Sequence, residues 1–300
     1  MLTIEPGNTT LGATVTGVDL EQPLSDADLA SLLRALGEYG VLCFPQQLVE
    51  AQALKAFSSR FGALQMISRL ADANVPEVSI LSNVIENGRP IGTPDAGQDW
   101  HTDMTYNRVV GFVNVLVAHR VPMRQGKPLG GTEFTNTQAA YDDLPAELKV
   151  KLANATALHD HNYFQERMRA KGSTRPPQTD AQRRERPPVP HPVFLTHPIS
   201  GRKVIYVNPG FTVRINELAP AESSEMLAYL FAHVLQPKYR HTHHWTVGDV
   251  LMWDHLGTWH CALADYRPDE FRLMKRCQVM ADKVFDAGFL QGVFHGGVAA

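Results

Sequence analysis

Cysteine is scarce in this 300-residue chain: Cys43, Cys261 and Cys277 are the only three, widely spaced and odd in number. They form neither a CxxC metal pattern nor a disulfide framework, so they read as reduced thiols in a cytoplasmic protein. No run of eighteen apolar residues occurs, which argues against a membrane span. The N-terminus, Met1-Leu-Thr-Ile-Glu-Pro, lacks a basic segment followed by an apolar stretch, so no signal peptide is expected. Positive charge is not in excess either. A formal net charge of -3 argues against a nucleic-acid partner, and the local run Arg183, Arg184, Arg186 reads as a solvated loop.

The chain does have an ordinary globular composition, 44% hydrophobic and 20% charged, with enough apolar residues for a sizeable core. Ser25-Asp-Ala-Asp28 reads as a capping box ahead of Leu29, Leu32, Leu33 and Leu36 at helical spacing, with Gly40 as the stop. A second amphipathic helix is expected over Val49 to Phe61, and further helices at Pro145 to Ala155 and Ala221 to Leu235. Strands are expected at Val41 to Phe44, Val78 to Leu81, Trp100 to Tyr106, Phe112 to Ala118, Thr132 to Thr135, Val204 to Asn208, Val250 to Trp253 and Phe271 to Met280. Lys171 to Pro190, rich in Pro, Arg, Gln and Ser, has no apolar periodicity and is expected to be a mobile loop or a lid. With no repeat and no clean linker, residues 1–300 are expected to form a single, mainly β domain. Its core would be a double-stranded β-helix (jelly roll) with helices packed outside.

The sharpest local feature is Trp100-His101-Thr102-Asp103. On a strand, residues two apart face the same side, so His101 and Asp103 can grip one ion. A second imidazole completes a facial triad, which leaves three positions open on Fe(II) for a bidentate 2-oxo acid and dioxygen. HxD alone is weak in a chain with 13 histidines. Corroboration comes from His260, followed twelve residues on by Arg272 in a strand-like segment. A β-hairpin of that length would return Arg272 to the metal, where a guanidinium could pair with a carboxylate. His255 is a weaker rival for His260. The run His241, His243, His244 has no neighbouring carboxylate and reads as strand packing.

These segments resemble the taurine dioxygenase family of Fe(II)/2-oxoglutarate enzymes, which includes aryloxyalkanoate and alkylsulfate dioxygenases. Gly17-Val18-Asp19-Leu20, Pro23-Leu24-Ser25-Asp26 and Arg60-Phe61-Gly62 match its opening, and WHTD at 100–103 its first metal segment. Gly131-Thr132 and Val207-Asn208-Pro209-Gly210-Phe211 match later segments, in order. The resemblance implies that His101, Asp103 and His260 hold iron, and that Thr132 and Arg272 contact 2-oxoglutarate. Arg276 would bind the acidic head of a small organic anion, beside a pocket wall including Phe211, Met104 and His161. The residues that hold the amine in taurine-specific members correspond here to Ile67, Leu70 and Gly97, none of them polar, so taurine is disfavoured. The implied reaction hydroxylates a C–H of a sulfonate, sulfate or aryloxyalkanoate-like substrate, with release of succinate and CO2. Asp103 favours hydroxylation, because related halogenases carry a small residue there. Two other classes stay open, a Zn-dependent hydrolase and a catalytically silent binding protein, as does homo-oligomerisation.

Overall fold

The structure, a computed structural model, describes residues 1–66, 70–173 and 176–295. Ile67 lies outside the described residues, as do Thr174 and Arg175 of the expected loop. The chain is rich in sheet. A seven-stranded sheet has the order Thr3–Pro6, Ala13–Thr16, Val41–Phe44, Val250–Asp254, Gly111–Arg120, Leu273–Met280, Ser79–Ser82. Every neighbouring pair in it is antiparallel except Ala13–Thr16 with Val41–Phe44. A three-stranded sheet of Arg240–His243, Thr132–Asn136 and Thr258–Ala262 contributes to the inner core.

Alternation along the strand Gly111–Arg120 divides the core. Val113, Val115 and Val117 join one apolar cluster with Leu32, Leu33 and Leu36 of the helix Asp26–Tyr39 and with Leu54 and Phe57 of the helix Ala51–Ser58. Leu116 and Ala118 join another, with Trp253, Met274, Phe134 and Trp245. Both faces are buried, which is why this strand reads as a nearly unbroken apolar run. The first helix starts as its sequence signals. The Ser25 side chain accepts the Asp28 N–H, an N-cap worth about 1 kcal/mol, and Gly40 closes it at φ 67.

Several expectations are corrected. Trp100 to Tyr106 is not a strand: His101 makes one isolated antiparallel bridge with His260, and the following residues turn. The strands before and after Arg272 are not hairpin partners, because Thr258–Ala262 pairs in the small sheet and Leu273–Met280 in the large one. Within the expected loop, Asp180–Glu185 is helical behind a Thr179 capping box, and Val189–Pro192 pairs with Thr156–His159. The helix His161–Ala170 has too weak an apolar pattern to be read from sequence: of its ten residues only Phe164 and Met168 are buried.

His159, on the strand beside that helix, is fully buried, and its Nε2 has no partner. Burial, aided by the charge of His191, pushes its pKa from 6.5 down to about 3. The folded state therefore favours the neutral ring, so the unfolded chain binds the extra proton as pH falls below about 6.5. Stability is fully present above that pH and is lost toward about 3. His159→Leu should make the dependence of unfolding free energy on pH shallower in this window, by up to about 1.4 kcal/mol per pH unit. Urea unfolding of both proteins between those limits checks it; identical slopes would contradict the assignment.

Candidate metal centre

His101, Asp103 and His260 come together with all their ligand atoms within 4.8 Å of one another. Two backbone bonds set the distance between the histidines: His101 N–H donates to the His260 carbonyl at 3.1 Å, and His260 N–H donates back at 2.8 Å. Thr102 buries its hydroxyl against the carbonyls of His255 and Thr258. That fastens the turn from inside, so that His101 and Asp103 emerge on one side without a strand. Gly210 leaves room for this packing: a Cβ there would stand 2.6 Å from the His101 Cβ. Asn208 Oδ1 accepts the Phe211 N–H at 2.9 Å, and Phe211 lies edge-on to His101, with centroids 6.0 Å apart.

His101 Nδ1 lies 2.7 Å from the Asp99 carbonyl, which can only accept, so Nδ1 carries the proton and Nε2 keeps its lone pair. Asp99 is itself anchored by Arg167 and Lys171, each at 2.9 Å. The free Nε2 faces Asp103 Oδ1 at 3.3 Å, while His260 Nε2 lies 3.8 Å from Oδ2. Lone pairs and a carboxylate converge with no proton assigned between His101 and Asp103, which is the donor arrangement a divalent cation requires. Burial alone would raise the Asp103 pKa, but its neighbours, the His101 ring, Arg276 and His260, hold it well below the usual carboxylate range. Burial, with the His101 ring beside it, presses His260 well below its usual value despite Asp103, so its ring is neutral.

Asp103 Oδ2 is held from behind by Gln278 Nε2 at 2.8 Å, Asn114 Nδ2 at 3.1 Å and Arg276 Nη1 at 3.3 Å. Asn114 and Gln278 are register partners on adjacent strands. Sequence reasoning missed both, although a signal existed: each is a polar residue inside an otherwise largely apolar strand. Gln278→Leu should weaken Fe(II) binding by about 10- to 100-fold, the usual scale for losing a group that orients a ligand, while His101 and His260 stay in place. Calorimetric titration with Fe(II) under nitrogen measures it; unchanged affinity would show that Asn114 and Arg276 suffice.

The other expected site residues fall into two groups. Arg276, Phe211, Gly97 and His161 line a cavity of about 360 Å³ beside the cluster, together with Arg186 from the segment expected to be a loop. Met104 is fully buried, with its methyl under Gly111, and Leu70 sits at φ 56 with 39% of its surface exposed; neither lines this cavity. Thr132 and Arg272 are buried outside its lining. Burial lowers the Arg272 pKa against the pull of Tyr266 and Asp265, its Nε has no partner, and no ion pair forms with it among the described residues. A desolvated, unpaired guanidinium is costly, so the site fits an anion. Gly130, at φ 68, makes the space: a Cβ there would come within 3.1 Å of Arg272 Cδ and Nε. His255, fully buried, stands apart from the cluster, its ring centroid 5.8 Å from that of His260.

Residues 3–278 match the family described as "Taurine catabolism dioxygenase TauD, TfdA family". Pentalenolactone F synthase of Streptomyces avermitilis is 31% identical, over 92% of this chain and 93% of that protein. The α-ketoglutarate-dependent 2,4-dichlorophenoxyacetate dioxygenase of a Burkholderia species is also 31% identical, over 80% of this chain and 82% of its own length. Among solved structures, AAD-2 in complex with Mn(II) and N-oxalylglycine superposes with a TM-score of 0.75 at 26% identity, covering 93% of this chain and 97% of that one.

Proposed function

The chain belongs to the TauD, TfdA family of 2-oxoglutarate-dependent dioxygenases, whose cofactor is Fe(II) and whose co-substrates are 2-oxoglutarate and dioxygen, and from that premise we propose that it hydroxylates a C–H of a small organic anion with an apolar or aromatic body. The observation that carries this reading is the cavity beside the His/Asp/His cluster, where Arg276 and Arg186 meet Phe164, Phe211 and Leu81. Asp103 is the only carboxylate among its described lining residues, and its Oδ2 already takes three donors. An ammonium group such as that of taurine would meet no free carboxylate there. The two sheets with their inner core are read as the double-stranded β-helix of one domain.

In this reading His101, Asp103 and His260 hold Fe(II), which supplies oxidising power through decarboxylation of 2-oxoglutarate by dioxygen. Arg272 pairs with the distal carboxylate of the co-substrate. Trp245 Nε1 donates to Thr132 Oγ1 at 3.1 Å, so the Thr132 hydroxyl is left to donate its own proton to an anion. Arg276 receives the substrate's acidic head at one end and steadies Asp103 at the other. Gln178 Nε2 lies 2.7 Å from His161 Nδ1, and Ser173 Oγ donates to Asp95 at 2.8 Å. These bonds, with Arg186, support a lid role for the 171–190 segment.

Turnover should be compared for taurine, an aliphatic sulfonate without the amine, an alkyl sulfate and a phenoxyalkanoate, under saturating 2-oxoglutarate with Fe(II), scored as succinate. Taurine should give the lowest kcat/KM, because an unpaired buried charge costs more than a lost methylene. Taurine ranking first would overturn the pocket argument. If none of the four is turned over, the dioxygenase class stands, but the sulfonate, sulfate and aryloxyalkanoate reading of the substrate falls.

A further inference from the structure

A second cluster of metal-ligating side chains lies among the described residues, away from the iron site: Cys43, His243 and Asp249. The His241–His244 run has no carboxylate beside it in the sequence, but the fold brings one. Cys43 sits on the large-sheet strand Val41–Phe44, opposite Leu251. Asp249 immediately precedes the next strand of that sheet, Val250–Asp254. His243 ends the edge strand of the small sheet, opposite Thr132. The sulfur, the imidazole nitrogen and a carboxylate oxygen all lie within 4.8 Å of one another. His243 Nε2 is 3.2 Å from Asp249 Oδ2, which also accepts the Thr246 N–H at 2.8 Å. Trp245 packs edge-on against the His243 ring, centroids 4.8 Å apart.

We propose that Cys43, His243 and Asp249 form a second metal site, which takes a borderline-soft divalent cation of the Zn²⁺ type and clips the small sheet to the large one. A thiolate, an imidazole and a carboxylate make a donor set that suits Zn²⁺, whereas the iron cluster has no sulfur, so the two sites sort metals by softness. A plain His–Asp hydrogen bond accounts for two of the three groups but not for the thiol beside them. A bound cation would attract both the thiolate and the carboxylate, which would otherwise repel each other at this distance. On binding, the Cys43 proton leaves to solvent, and the single ring proton of His243 moves from Nε2 to Nδ1, which frees the Nε2 lone pair and Asp249 Oδ2 for the ion. The clusters's partial exposure leaves the fourth position to water, with the His243 side chain 13% accessible. Through Trp245, which donates to Thr132 Oγ1, the clip braces the strand that carries Thr132.

Co²⁺ substitution of the full, metal-stripped chain tests this, because a cobalt–thiolate bond gives a near-ultraviolet charge-transfer band that the His/Asp/His cluster cannot produce. The band should rise to one equivalent per chain in the wild type, in His101→Ala and in Cys261→Ser, and Zn²⁺ should displace it. It should vanish in Cys43→Ser, and Asp249→Asn should need at least about tenfold more Co²⁺ to reach half its height. In the His101→Ala background, Zn²⁺ should raise the unfolding midpoint, and adding Cys43→Ser should remove that rise. If Cys43→Ser fails to fold, Asp249→Asn decides by the same titration. A wild type with no band at saturating Co²⁺, or a band that survives Cys43→Ser, would overturn the proposal.

Discussion

His260→Ala is expected to abolish Fe(II)-dependent succinate formation while leaving the chain folded, and His101→Ala and Asp103→Ala should do the same. In each case one of three donor atoms is lost from a cluster whose remaining two cannot close a facial set. Loss of an orienting partner already costs about 10- to 100-fold in metal affinity, so loss of a ligand should cost more than about 100-fold. The fold should survive, because the strand Thr258–Ala262 keeps its five register partners on Thr132–Asn136 and the backbone bonds between residues 101 and 260 do not depend on the side chain. His255 offers no substitute: its ring centroid lies 5.8 Å from that of His260, and its nitrogens are not among the ligand atoms that converge. Calorimetry with Fe(II) and a succinate assay measure the two effects together. Full activity in His260→Ala would remove this residue from the ligand set and bring His255 forward.

Arg272→Ala is expected to raise the KM for 2-oxoglutarate far more than Arg276→Ala does. Removing one partner of a buried charge-assisted pair costs about 2–5 kcal/mol, which corresponds to roughly 30- to 4000-fold in affinity. Arg272 has 6% of its surface exposed and forms no ion pair among the described residues, so an incoming carboxylate would meet a cation already stripped of water. Arg272→Lys should recover little, since an ammonium cannot reproduce the two-pronged geometry. Arg276 has other duties: its Nη1 lies 3.3 Å from Asp103 and its Nε 3.4 Å from Ser79 Oγ. Its loss should appear in the KM for the organic substrate and in iron affinity. Equal effects of the two alanine variants on the KM for 2-oxoglutarate would mean that the roles are wrongly divided.

Much of the scaffold was legible in the chain because its signals are local. The Ser25 cap and the Gly40 stop bracket a helix with leucines at helical spacing, and the apolar run Phe112 to Ala118 lies wholly within the strand Gly111–Arg120. The helix Asp180–Glu185 was not legible, because its residues are exposed and no apolar stripe marks it. The route of the chain after His260 was misread for a different reason. Strand pattern reports which residues are extended, not which neighbour they pair with, and here consecutive strands join different sheets.

By itself the sequence determined the residue types at the iron cluster, HxD with a distant histidine, and the order of motifs that marks the family. It also placed Arg272 twelve residues after that histidine, whereas the burial of this arginine was decided by the fold. Only the tertiary structure decided how the parts act on one another. It put His101 and Asp103 on a turn fastened by Thr102, set Asn114 and Gln278 behind the carboxylate, and gave His243 a thiol from the large sheet and a carboxylate from the loop that leads into it. The physical reason is range. Caps, periodicity and short motifs act within a few residues, whereas partners such as Gln278 behind Asp103 and Cys43 beside His243 are chosen by the pairing of segments more than a hundred residues apart, which no local pattern encodes.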